Sequence, residues 1–229
     1  MTLAERGAQQ GTTVIASAQT AGRGRLGRSW YSPPGAGLYV SVVLRESRLA
    51  GLVTLAGGVA VADGIRTATG LPVEIKWPND VVVREGRVRD RRLKIAGILT
   101  EASTSAEELQ YVILGFGINV RKAALPPALA DIATSIEAEL GRPVEPAPVL
   151  AETLASLNAQ VQLLTTGNSP AILNRWRALA PTSVGSVIEW DRASERTRGT
   201  TAGIDDCGAL LARTGDRTER ILSGEVRWL

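Results

Sequence analysis

Apolar and polar positions alternate with the period of a strand over residues 12–18 and again, after a glycine- and arginine-rich interval, over residues 38–44. From about residue 49 to 69 the period lengthens to that of a helix. Leu52, Leu55, Val59, Ala62 and Ile65 fall close to one stripe, and Gly70 stands where a left-handed terminator belongs. Gly57-Gly58 inside this stretch lowers helix propensity, which predicts close packing against a sheet. Strand texture returns over residues 73–77 and 80–83, bent at Pro78, and over residues 93–101 and 109–120, with a charged hairpin at residues 84–92. A segment rich in proline and alanine follows, with one short helical candidate around residues 130–140. Helical stripes then run over residues 149–164, through Leu150, Leu154, Leu157, Val161 and Leu164, and over residues 170–179, through Ile172, Leu173, Trp176 and Leu179. After Pro181 the pattern breaks into short strand-like runs at 186–190, 200–204, 208–212, 220–222 and 224–229, separated by glycines. These expectations amount to an α/β (α+β) chain in two parts, divided near Pro181, the second a small antiparallel barrel or sandwich.

Composition narrows the chemistry. The chain of 229 residues contains no histidine, which removes Ser-His-Asp and Cys-His nucleophilic systems and every histidine-ligated metal site. Its one cysteine, Cys207, excludes an internal disulfide and sits beside Asp205-Asp206, a setting that does not favour a thiolate. Any catalysis must therefore rest on lysine, arginine, carboxylates and backbone amides, with Mg²⁺ as the metal that such a set can serve. No apolar run is long enough to span a bilayer and no signal-peptide layout opens the chain, so the sequence predicts a cytoplasmic protein without membrane contact. The net charge of +3 is mild, and of 26 basic residues only Lys76, Lys94 and Lys122 are lysines. The hairpin at 84–92 reads as a solvated loop and not as a nucleic-acid patch, because acids interrupt it and no aromatic is interleaved.

Four clusters carry candidate chemistry. In Gly22-Arg23-Gly24-Arg25-Leu26-Gly27-Arg28-Ser29-Trp30, glycines let backbone N–H groups turn towards an anion while the arginines supply fixed charge. The spacing satisfies G-x-G-x-x-G, but a strand and not a helix follows, so a Rossmann loop is excluded; a ligand-free Arg-Gly turn stays open as an alternative. Lys76-Trp77-Pro78-Asn79-Asp80 combines a cation, a flat aromatic and two oxygen-bearing side chains, which suits a nucleotide with its Mg²⁺. Equally, Trp77 could be core and Asn79-Asp80 a turn. Lys94 opens the apolar strand Lys94-Ile95-Ala96-Gly97-Ile98-Leu99, either as a strand-edge charge or as the charge that meets the ligand. Gly115-Phe116-Gly117-Ile118-Asn119-Val120 closes the set at a strand end.

In this order, and with Gln19-Thr20-Ala21 ahead of the arginine loop, the motifs resemble those of biotin protein ligases; the resemblance runs from about Leu3 to the C-terminus. It implies a class II synthetase-like catalytic fold, a mixed β-sheet with helices on one side, over residues 1–180, and a C-terminal SH3-like barrel over residues 181–229. It also implies the reaction: biotin and ATP form biotinyl-5'-AMP, from which biotin passes to a lysine of a biotin carboxyl carrier protein. By this resemblance Lys94, Arg23 and Arg25 are catalytic, and Gln19, Gly22, Gly24, Gly27, Trp30 and Gly97 join them around biotin and the adenylate. Lys76, Trp77, Asn79, Asp80 and Asn119 belong to ATP, with Asp80 also a ligand for Mg²⁺. The loop is expected to order when ligand binds. The family's Ser-Thr-Asn motif would precede Gln19, so a missing N-terminal biotin-pocket segment is expected. The hairpin at 84–92 is longer than the family's usual one. With no winged-helix segment ahead, specific DNA binding is not expected, and homodimerisation is left open. Lipoate protein ligase, of the same fold, and a basic nucleic-acid-binding module are the alternatives.

Overall fold

The computed structural model describes residues 2–45, 52–85, 91–105, 108–192 and 195–229. Six strands, β1 (Thr13–Ala16), β2 (Gly37–Leu44), β3 (Glu74–Lys76), β4 (Asp80–Glu85), β5 (Arg91–Ser105) and β6 (Glu108–Asn119), form one sheet in the order β1-β2-β6-β5-β4-β3. Every pairing in it is antiparallel, where a mixed sheet was expected. The connectivity gives the reason. The crossover from β2 through helix α2 (Val53–Thr69) delivers β3 parallel to β2 but at the opposite half of the sheet, so the two never become neighbours.

Helix α2 is apolar nearly all round because it is covered on two sides. One side lies on the sheet: a side chain at Gly57 would meet Leu114 at 2.9 Å and Ile98 at 3.2 Å. The other side lies against α4 (Pro146–Thr165), where Gly64 brings the helix axes close enough that a Cβ would stand 2.6 Å from the Thr153 backbone. Gly70 ends α2 in the left-handed conformation at φ 75°, as the sequence leads one to expect. Helix α5 (Ser169–Leu179) completes this layer with Trp176 and Leu179 fully buried. The start of the helical stripe at residue 49 falls outside the described residues.

Two differences from the sequence expectation bear on the site. The helical candidate at 130–140 shortens to α3 (Ile136–Leu140), preceded in the chain by the one-turn helix α1 (Thr2–Glu5). Ser135 caps α3 by accepting from the Ala138 amide at 3.3 Å, and the backbone before it bridges to β5 instead. Secondly, the charged stretch 84–92 is not all solvated loop, since β4 continues to Glu85 and β5 begins at Arg91; only its centre, 86–90, lies outside the described residues.

Beyond a short turn at Pro181–Ser183, five strands form a second antiparallel sheet: β7 (Val184–Arg192), β8 (Glu195–Ile204), β9 (Leu210–Thr214), β10 (Arg217–Ile221) and β11 (Val226–Trp228). The order is β10-β9-β8-β7-β11, an open sheet in its described pairings. It shares the main core through Ile188, Trp190 and Leu210, and Gly208 packs so tightly on α2 that a Cβ would meet Leu55 at 2.6 Å. Among the described residues no helix is long and apolar enough to cross a membrane.

The closeness of α2 and α4 yields a test. Gly64→Ala is expected to destabilise the fold by about 1–3 kcal/mol through overpacking against Thr153. Urea unfolding of the variant should show a lower midpoint with an unchanged slope; an unchanged midpoint would mean the two helices can separate without cost.

Candidate functional site

The site is built on a stretch of sheet that has no side chains. Gly97 on β5 and Gly117 on β6 are direct partners across the antiparallel ladder, with Gly115 opposite Leu99 next along. Alternation puts their bare backbone on the face away from the helices, since Ile98 and Ile118 between them are buried on the other. On this floor lies the indole of Trp30. A Cβ at Gly117 would stand 2.6 Å from the indole Nε1, and one at Gly97 would stand 3.0 Å from its Cζ3. Neither position tolerates even alanine while Trp30 is there. The indole N–H itself is buried and has no hydrogen-bond partner among the described residues.

Lys94 stands at the edge of the same floor. A register shift in the β4–β5 ladder between Val81 and Val82 sets Lys94 opposite Val82, and residues 132–134 pair with it from outside: its amide donates to Ile132 O and its carbonyl accepts from Thr134 N, both at 2.9 Å. Lys94 is thus internal to the sheet and not an edge charge. Its Nζ lies 2.6 Å from Asp80 Oδ1 and 5.1 Å from the centre of the Trp30 ring. The ammonium therefore keeps a carboxylate and an aromatic face as partners on a side chain that is 30% exposed.

The arginine loop is tied across the floor at three points. Arg23 makes a two-pronged pair with Glu101 on β5, at 2.7 and 2.8 Å. Arg25 donates to Asn79 Oδ1 at 3.2 Å, and Asn79 in turn donates to Ile98 O at 2.8 Å. Arg28 reaches Glu225 of the second sheet at 2.6 Å, and this hydrogen-bonded guanidinium holds the Glu225 carboxyl below its ordinary pKa. These contacts give the loop one path across the floor. The Arg23 and Arg28 side chains are 62% and 64% exposed, so those pairs contribute little to stability and can be exchanged for a ligand contact. Backbone bonds shape the loop: Trp30 N donates to Gly22 O at 2.9 Å and Gly24 N to Arg28 O at 2.7 Å. Gly27 turns at φ 74°, following Leu26 at φ 56°.

Two cavities meet here. The smaller, about 120 Å³, is lined by Gln19, Arg23, the glycines of the floor and Phe116; Gln19 accepts from Ser32 Oγ at 2.7 Å at its edge. The larger, about 540 Å³, runs from Trp30 past Asn79 and Asp80 to Lys76, Asn119 and the C-terminal Trp228. Gly24, Arg25, Trp30, Asn79 and Lys94 line both, so Lys94 stands at their junction. Asn119 is buried and donates to Thr134 O at 3.0 Å. Lys76 lies 5.9 Å from the Trp228 ring, and burial pushes its pKa down, with Asp80 opposing and the charges of Arg92 and Lys94 adding to the effect. Trp77 lines the larger cavity and is also core: it is 4% exposed and its indole N–H donates to Gly208 O at 3.0 Å.

The sequence thus brings Gln19, Gly22, Arg23, Gly24, Arg25, Gly27, Trp30, Lys76, Trp77, Asn79, Asp80, Lys94, Gly97 and Asn119 to one place, from segments far apart in the chain. Glu225 and Trp228 were not foreseen, because nothing local in the C-terminal strands marks them as reaching another sheet. Among the described residues no group of three or more histidine, cysteine or carboxylate side chains forms a metal cluster.

Comparison with known proteins agrees with this arrangement. Residues 2–119 match the model of the biotin/lipoate A/B protein ligase family, and residues 193–227 match that of the biotin protein ligase C-terminal domain. The bifunctional ligase/repressor BirA of Bacillus subtilis is 34% identical over 98% of this chain and 68% of its own length. A biotin–(acetyl-CoA-carboxylase) ligase of Paracoccus denitrificans is 36% identical, over 93% of this chain and 88% of that protein. Among solved structures, the biotin protein ligase of Aquifex aeolicus in complex with biotin and ATP superposes with a TM-score of 0.83 at 27% identity, covering 100% of this chain and 94% of that one. The chain belongs to the biotin/lipoate A/B protein ligase family and carries with it the C-terminal domain of biotin protein ligases.

Proposed function

We propose that this chain is an ATP-dependent biotin protein ligase that attaches biotin to the biotin carrier of acetyl-CoA carboxylase. The observation that carries the reading is Lys94 at the junction of a small, glycine-floored cavity and a larger one, in a family whose similar members act on biotin with ATP. In the first step an oxygen of the biotin carboxylate attacks the α-phosphorus of ATP and the bond to pyrophosphate breaks. In the second, the carrier lysine attacks the carbonyl carbon, and AMP leaves with the bridging oxygen. No enzyme nucleophile takes part, in keeping with a chain that has no histidine.

In this reading biotin enters the smaller cavity beside Gln19 and over Gly97, Gly115 and Gly117, and the nucleotide fills the larger one towards Asn119. Lys94 exchanges Asp80 for the biotin carboxylate and α-phosphate, where developing charge is stabilised by a preformed cation. Arg23 and Arg25, with Gly22, Gly24 and Gly27, close over the adenylate and keep water from it. Lys76, Asn79 and Asp80 face the phosphates, and Trp77 supports them from the core. Once Lys94 has turned away, Asp80 offers the single carboxylate that Mg²⁺ needs when phosphates and water complete its shell; bound there, the ion would neutralise phosphate charge. Residues 1–180 are the catalytic domain, residues 181–229 cap the nucleotide end, and the site of action is the cytoplasm.

The test of this reading is ATP–pyrophosphate exchange supported by biotin or by lipoate. Exchange with biotin alone is expected; exchange with lipoate alone would shift the reading to a lipoate ligase, and exchange with neither would remove it. Two further outcomes are expected. Lys94→Ala should slow adenylate formation by about 30- to 1,000-fold, the loss of about 2–4 kcal/mol of charge stabilisation, with an unchanged unfolding midpoint. Exchange at the wild-type rate would contradict it. Arg23→Ala or Arg25→Ala should still form biotinyl-5'-AMP but release it, so that a bystander protein mixed with variant, biotin and ATP becomes biotinylated. Retention of the adenylate without stray labelling would show that the loop does not close.

A further inference from the structure

Arg92 belongs to none of the motifs that mark this family in the sequence, and by composition it reads as one more charge of a solvated hairpin. The structure puts it elsewhere. It is the second residue of β5, two before Lys94 and therefore on the same face of the sheet. Its side chain is 13% exposed and lines the larger cavity, with Nε 3.8 Å from Glu74 Oε2. Three cations converge there, because Lys76 responds to the charges of both Arg92 and Lys94. Among the residues that line the larger cavity, Arg25, Arg28, Lys76, Arg92, Lys94 and Arg227 stand with the carboxylates of Asp80, Asp131 and Glu225, and Glu74 pairs with Arg92 beside them. Cations gathered in a partly desolvated cavity repel one another, and a polyanion is the ligand that would relieve this.

The geometry of the two cavities says which end of the polyanion. Lys94 lines both, whereas Arg92 and Lys76 line only the larger. In phosphoryl and nucleotidyl displacement the attacking and leaving oxygens lie roughly in line through phosphorus. A carboxylate that attacks from the smaller cavity at Lys94 therefore expels its leaving group into the larger one, where Arg92 and Lys76 stand. We infer that Arg92, with Lys76, binds the β- and γ-phosphates of the nucleotide and holds the departing pyrophosphate. The guanidinium fork suits two phosphate oxygens at once, and its 3.8 Å ion pair with Glu74 helps to orient it. This inference rests on the adenylation proposed above.

The test compares reactions that need those phosphates with reactions that do not. For Arg92→Gln, the KM for ATP in adenylate formation and the pyrophosphate concentration needed for the reverse reaction should both rise about tenfold or more, as loss of a charge-assisted phosphate contact requires. Competition by AMP, which lacks the β- and γ-phosphates, should be unchanged, and so should transfer of biotin to the carrier from supplied biotinyl-5'-AMP. Arg92→Lys should recover part of the pyrophosphate affinity. Wild-type dependence on ATP and pyrophosphate would overturn the inference. So would equal losses for AMP, pyrophosphate and transfer, which would make Arg92 a structural partner of Glu74. If the unaltered protein shows no biotin-dependent exchange at all, the ligase reading itself fails, and this inference with it.

Discussion

The arrangement depends on a strip of sheet from which side chains have been removed. Gly97 and Gly117 face each other across the β5–β6 ladder, and glycine in a strand interior weakens it, because nothing packs and the unfolded chain gains freedom. The sheet tolerates this strip because the opposite face carries Ile98, Leu114, Phe116 and Ile118 into the main core, under α2. What the strip provides is a flat floor at backbone depth. Trp30 can lie on it, the arginine loop can cross above it, and Lys94 can stand at its edge with its ammonium beside both cavities. A methyl group at either glycine would lift the indole and displace everything that rests on it.

Electrostatics is the second consequence. Three cations of the loop and floor are held by carboxylates: Lys94 by Asp80, Arg23 by Glu101 and Arg28 by Glu225. The two arginine pairs are too exposed to contribute much to stability and the Lys94–Asp80 pair is more enclosed, yet all three hold the charges in position and satisfy them until a better anion arrives. The central claim that follows is that the protein supplies a shaped surface and exchangeable charges, and that the covalent chemistry passes directly between its substrates.

Much of the fold was legible because periodicity reports burial. The stripe of α2, the strand runs of β2, β5 and β6 and the change of texture at Pro181 each reflect which residues meet the core. The short α3 was not legible, since the choice between helix and bridge at residues 130–135 was made by the Ser135 cap and by the open hydrogen bonds of Lys94, a partner far away in sequence. The purely antiparallel sheet was likewise a matter of where the α2 crossover lands, which no local pattern encodes. In the site, the motifs carried their own residues together, Trp77 both lining the cavity and packing in the core, whereas Arg92, Glu225 and Trp228 reach the cavity only through tertiary packing.

The most direct measurement of the central claim follows oxygen through one turnover. With both oxygens of the biotin carboxylate labelled with ¹⁸O, mass spectrometry of the products is expected to find one label in AMP and the other in the carbonyl of the new biotinyl-lysine amide. AMP without label would mean that the carboxylate never joined the α-phosphorus, and would contradict the account of a surface that only positions its substrates.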